Sequence, residues 1–143
     1  MKQLVAKLQS LEKKIAAERG NFSLFGLFLR EEAENKWDLV VAAPWINADS
    51  FEHLKYIADN LKSYVKNSEL LSISRIVLLD AHDPIVQSIN KFCRVLRGRP
   101  PFELNDFQFI NIELPFKYAY IIISQNGKPV SVNVGKRKLR QTA

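Results

Sequence analysis

The chain has 143 residues, the length of one domain, and 47% of them are hydrophobic, which excludes a disordered chain. The sequence contains no run of ~20 apolar residues, no secretory signal and only one cysteine. We therefore expect a single cytoplasmic domain, residues 1–143, with no membrane partner and no internal disulfide. The net charge of +6 lies wholly in residues 72–143, which contain 11 Lys and Arg and 5 Asp and Glu, whereas residues 1–71 contain 10 of each kind.

The first predicted element is an amphipathic helix over residues 2–19. Its apolar residues recur at spacings of 4, 3 and 4, which places them on one side: Leu4, Leu8, Leu11 and Ile15. Gly20 ends the helix. This narrow stripe either packs on the sheet of the same chain or forms a short coiled-coil seam between two copies. The second interpretation predicts a homodimer through these four residues.

Two strands follow the first helix. Residues 22–30 are apolar on both faces, which predicts a central strand covered on both sides. Residues 37–43 are also apolar on both faces, apart from Asp38, and a short polar turn links the two strands into an antiparallel hairpin.

The next predicted unit is a helix followed by a strand. Asp49 and Glu52 have capping-box spacing, and the helix runs to about Lys66 with a buried face that begins at Phe51. The third strand, residues 72–80, should lie parallel to the second because a helix connects them.

A further helix begins at Asp83-Pro84, where Asp caps the helix and Pro takes its first position. The pattern extends this helix to Arg97, and Gly98 ends it. Its core side includes Phe92 and Cys93, so the cysteine is interpreted as a small buried hydrophobe and not as a nucleophile.

The last third of the chain is predicted to be β-structure. Residues 102–114 and 117–125 form strands, Asn126-Gly127 is a hairpin turn, and an edge strand with alternating valines leads to a basic tail at residues 135–143. The whole chain is thus α/β, in the mixed α+β sense. It has one mixed sheet, the element order α-β-β-α-β-α-β-β-β, and helices packed on the sheet.

Most of the positive charge of residues 72–143 occurs in two runs without an acid. They are Lys91, Arg94, Arg97 and Arg99, and Lys136, Arg137, Lys138 and Arg140. The first run is expected on the outer face of a helix, and the second in the tail. Clustered positive charge attracts polyanions, so the preferred hypothesis is a non-catalytic binding module for nucleic acid or an acidic protein.

The alternative is a small hydrolase or metal-dependent enzyme. Two carboxylates and an imidazole lie where a strand gives way to a helix: Asp80, His82 and Asp83. Trp45 follows the neighbouring strand and either lines a pocket there or plugs the end of the core. We expect no bound metal, because no second histidine cluster completes a site, and no cofactor, because the five glycines form no phosphate loop. A third hypothesis is a structural homo-oligomer assembled through the first helix.

Overall fold

The computed structural model describes residues 1–31, 36–105 and 116–125. These residues form nine elements: α1 (Lys2–Arg19), β1 (Leu24–Arg30), β2 (Trp37–Ala42), α2 (Phe51–Tyr64), α3 (Asn67–Leu70), β3 (Ile73–Leu79), α4 (Pro84–Phe92), β4 (Phe102–Asn105) and β5 (Phe116–Ser124). The strands form a single mixed sheet in the order β3-β2-β1-β5-β4. The predicted fold class and the predicted order of helices and strands are confirmed. The predicted Asn126-Gly127 turn, the last strand and the basic tail lie outside the described residues.

The sheet is organised around β1, its middle strand. β1 pairs antiparallel with β2, and β2 pairs parallel with β3, as the sequence predicts. One face of the sheet carries Phe25 and Leu39 against α1 and α2. The other face carries Phe28 and Val40 against Val86 of α4. The core therefore has two halves, and β1 is covered on both sides.

The apolar stripe of α1 belongs to this core. Leu4 is 4% exposed, and Leu8, Leu11 and Ile15 are fully buried in the cluster formed with the sheet. A coiled-coil seam needs exposed side chains that a second copy can cover. The predicted homodimer seam is therefore wrong, and the alternative of packing on the sheet of the same chain is correct.

The start of α2 differs from the prediction. Ser50 is the N-cap, because its Oγ accepts a hydrogen bond from the His53 backbone N–H at 3.2 Å. The Asp49 backbone N–H instead donates to the Asn47 side chain at 2.9 Å. Phe51 is 73% exposed, so the buried face of α2 begins later, with Ile57.

The helix α4 is shorter than predicted. Asp83 caps it and Pro84 opens it, as expected, but it ends at Phe92, five residues before Arg97. Cys93 is extended, with φ −147°, and Val95 exchanges two backbone hydrogen bonds with Ser124, at 2.9 and 3.0 Å. Pairing with the end of β5 thus replaces the last helical turn. The predicted outer helical face through Arg94 and Arg97 does not exist.

The buried environment of Cys93 agrees with its interpretation as a core residue. Its side chain packs in the half of the core that contains α4. Burial raises the pKa of the Cys93 thiol, which disfavours the reactive thiolate. Among the described residues, no helix has both the length and the apolar character needed to cross a membrane.

Candidate functional site

The first basic run lies in residues 91–102, a largely exposed segment that carries the chain from α4 to β4 and has Cys93 and Val95 buried within it. Lys91, Arg94 and Arg99 are exposed. The described part of the chain supplies no ion pair or side-chain hydrogen bond to any of the three. Three positive charges of this run are therefore available to an external anion.

Arg97, the fourth residue of the run, has an internal partner. Its Nε donates to Glu12 Oε1 at 3.1 Å and its Nη2 to Glu12 Oε2 at 2.8 Å, and Nη2 also donates to Asn21 Oδ1 at 3.0 Å. Glu12 is only 1% exposed, so the guanidinium neutralises a buried carboxylate. The hydrogen bonds to Glu12 raise the pKa of Arg97. We therefore assign Arg97 a structural role and remove it from the predicted polyanion surface.

The sequence contained a signal for this pair. Glu12 lies four residues after Leu8 and three before Ile15, so helical geometry places it on the core side of α1. A carboxylate on an apolar helix face needs a cationic partner when it is buried. The identity of that partner could not be predicted, because Arg97 is 85 residues away.

A second buried carboxylate forms an ion pair with another arginine from residues 72–143. Asp38 of β2 is 1% exposed. Its Oδ2 lies 3.1 Å from Arg75 Nε and 3.2 Å from Arg30 Nε. Arg75 and Arg97 thus both compensate acids from the first half of the chain. The charge that remains for a partner is concentrated in Lys91, Arg94, Arg99 and the tail.

The structure pairs the first basic run with the end of β5. Val95 lies inside the first run and pairs with Ser124, the last residue of β5. Gln125 is then held by two hydrogen bonds, from its backbone N–H to Ser23 O at 3.0 Å and from Nε2 to Phe22 O at 2.8 Å. Gln125, the last described residue, is therefore held at a fixed point beside the first run.

The four basic residues of the tail lie outside the described residues. Lys136 follows Gln125 by 11 positions. That length spans at most about 40 Å when extended. The second run, which continues through Arg137 and Lys138 to Arg140, is thus tethered within reach of the first.

A cleft of about 790 Å³ lies between α1 and residues 97–101. Lys13 and Arg99 contribute to its walls, and both are exposed. Ile122 and Ile123 form its floor, because a bulge beside Gly26 turns both isoleucines toward α1. A Cβ at Gly26 would lie 2.8 Å from the Tyr120 carbonyl oxygen, so glycine is required for this close approach. With Glu12 neutralised by Arg97, the cleft favours anions.

The three residues of the predicted enzyme site serve different purposes. Asp80 is exposed, and its Oδ1 accepts from the Ala48 backbone N–H at 3.4 Å. Asp83 Oδ1 accepts from the Ile85 backbone N–H at 2.8 Å as the helix cap, and His82 is exposed. Within the described ranges, no group of three or more His, Cys, Asp and Glu side chains has the geometry to hold a metal ion. The metal-dependent form of the enzyme hypothesis therefore finds no ligand cluster among the described residues.

Trp45 packs at the end of the core, one of its two predicted roles. Its Nε1 donates to the Gly20 carbonyl at 3.0 Å, and its ring lies 5.6 Å from that of Phe22. Its histidine neighbour is His53, at 5.9 Å between ring centroids. The Arg19 guanidinium lies 4.2 Å from the centre of the neighbouring Tyr56 ring, a cation–π contact that sequence patterns did not indicate.

The edge strand β4 is held to β5 by a side-chain contact. The Tyr118 hydroxyl donates a hydrogen bond to the Glu103 carboxylate, which raises the pKa of Tyr118 to about 12. An unfolded tyrosine titrates near ~10. The stabilising contact is therefore fully present below about pH 10 and is lost as the pH rises through about 12.

This contact predicts a late tyrosine titration. We expect an ultraviolet absorbance titration of the wild type to show one phenol ionising near pH 12, because Glu103 stabilises the protonated hydroxyl. The step should disappear in the Tyr118→Phe variant. If wild type and Tyr118→Phe gave identical absorbance curves above about pH 11, which is roughly midway between the ordinary and the raised tyrosine pKa, that result would show that the contact between Tyr118 and Glu103 does not form.

The described residues define an α+β domain with one mixed sheet and a basic segment exposed at one edge. The chain matches no protein-family model, no curated protein and no solved structure. We therefore infer the function from the geometry and charge of the described residues.

Proposed function

We propose that the protein is a non-enzymatic module that binds a polyanion, with nucleic acid as the preferred ligand and an acidic protein as the alternative. The binding residues are Lys91, Arg94 and Arg99 in the first run and Lys136, Arg137, Lys138 and Arg140 in the tail. The observation that carries the proposal is the pairing of Val95 with Ser124, which fixes the part of the chain that leads to the second run beside the first run.

Counterion release provides the physical basis for binding. A cationic side chain that neutralises a phosphate releases a condensed counterion, and the gain in affinity grows with the number of such contacts. Seven basic side chains, three in the first run and four linked to it through residues 126–135, can contact several phosphates of one strand. Basic residues scattered over the surface cannot all contact the same ligand molecule at once, so their contributions to affinity do not combine.

The test is an anisotropy titration of a labelled random-sequence nucleic acid at low and moderate salt. We expect the wild type to bind at low salt. The triple variant Lys91→Gln, Arg94→Gln, Arg99→Gln should bind at least tenfold more weakly, because three phosphate contacts are lost.

The matched control removes three lysines on the opposite side of the sheet. Lys55, Lys62 and Lys66 are exposed and lie in or directly after α2, which packs on the face opposite α4. Their replacement by glutamine lowers the net charge by the same amount and should leave affinity within a factor of about two of wild type. Absence of binding even at low salt, or equal losses in both triple variants, would contradict the proposal.

A further inference from the structure

Two phenylalanines form an exposed aromatic patch within the basic segment. Phe92, the last residue of α4, is 41% exposed, and Phe102, the first residue of β4, is 38% exposed. Their ring centroids lie 6.3 Å apart at an interplanar angle of 83°. Leu96, between them in sequence, is 39% exposed. Phe92 is predicted by sequence to lie in the core, and its exposure follows from the early end of α4.

The surroundings of this patch are basic. Residues 91–102 contain no acidic residue, and their cations Lys91, Arg94 and Arg99 form no ion pair with any residue that the structure describes. Glu103, the nearest acid in sequence, follows Phe102 in β4, and strand alternation places its carboxylate on the opposite face of the sheet, where it accepts a hydrogen bond from the Tyr118 hydroxyl. Exposed apolar surface that is flanked by one sign of charge indicates a ligand that is both negatively charged and able to contact aromatic rings.

We propose that this patch binds single-stranded nucleic acid, with bases stacking on Phe92 and Phe102 and phosphates contacting the adjacent cations. The inference rests on the proposed polyanion binding and names its substrate class. Each unpaired base offers a flat π-face, whereas a duplex keeps its bases stacked inside. A second copy of this chain is a poor occupant, because its own basic residues would face those of the first.

The experiment compares one labelled strand with its duplex at the same salt concentration. We expect the wild type to bind the single strand at least tenfold more tightly than the duplex. The double variant Phe92→Leu, Phe102→Leu keeps apolar side chains but lacks flat rings. It should lose about 10- to 100-fold in single-strand affinity while its duplex affinity stays unchanged.

Phe51→Leu is the matched control, because Phe51 is 73% exposed on α2, away from the basic segment. It should leave single-strand affinity unchanged. Equal wild-type affinity for both nucleic acid forms, or no loss in the double variant, overturns base stacking while the polyanion function stands. Failure to bind either form overturns both proposals. Tighter binding to polyglutamate than to the strand, with the same loss in the double variant, identifies an acidic protein as the partner and overturns this inference.

Discussion

Replacing Arg97 with alanine is expected to lower the free energy of unfolding by about 3 kcal/mol. The loss arises because the Glu12 carboxylate, which is 1% exposed, would lose both hydrogen bonds from the guanidinium and remain buried without a partner for them. Urea denaturation of the wild type and the variant measures the change. The variant should shift the unfolding midpoint without changing the slope of the transition.

Two further variants distinguish the loss of the buried Arg97–Glu12 pair from a general effect of removing a positive charge. Arg94→Ala removes an exposed cation of the same segment and should change stability by less than about 0.5 kcal/mol. The double variant Glu12→Leu, Arg97→Leu removes both charges and should recover most of the loss, because no buried charge is left uncompensated. If Arg97→Ala is as stable as Arg94→Ala, the internal role of Arg97 is wrong.

The second large effect is expected for Leu8→Ala. Leu8 is fully buried between α1 and the sheet, and truncating such a leucine costs about 2–5 kcal/mol, through lost apolar contacts and the cavity that remains. The exposed Gln3→Ala change on the same helix is the control, with an expected effect below about 0.5 kcal/mol.

This variant also distinguishes core packing from self-association. We expect the unfolding midpoint of wild type and Leu8→Ala to be independent of protein concentration, because Leu8 contacts its own sheet. A midpoint that rises with concentration in the wild type, together with a small effect of Leu8→Ala, would indicate a stable seam between copies.

The elements that the sequence predicts correctly are those with local causes. The stripe from Leu4 to Ile15 defines α1, and Asp83-Pro84 defines the start of α4, because caps and periodicity act over a few residues. The doubly apolar β1 and β2 also follow from local pattern. These signals are sufficient for the order of elements and for the parallel pairing of β2 with β3.

The features that the sequence did not predict depend on distant partners. Helical periodicity continues past Phe92, but Val95 pairs with Ser124, which lies on a strand formed much later in the chain. The prediction that the charge of Arg97 is available to an external partner is wrong for the same reason, because its internal partner Glu12 lies on the first helix. Local periodicity also placed Phe51 in the core, yet α2 turns this ring outward.

These long-range contacts change the meaning of the charge asymmetry. Part of the excess positive charge of residues 72–143 compensates buried acids of residues 1–71. Arg75 pairs with Asp38, and Arg97 pairs with Glu12. Most of the remaining cations of residues 72–143 are exposed near Phe92 and Phe102 or belong to the tail, residues 135–143. The asymmetry therefore serves both the stability of the domain and the proposed binding surface.

The salt dependence of single-strand binding tests the central claim most directly. If the seven proposed side chains each contact a phosphate, the logarithm of the association constant should fall against the logarithm of salt concentration with a slope of about −5. Glutamine at Lys136, Arg137, Lys138 and Arg140 should reduce the slope to about −2, because three contacts remain. A wild-type slope near zero, or the same slope in both proteins, would contradict a polyanion surface built from the two basic runs.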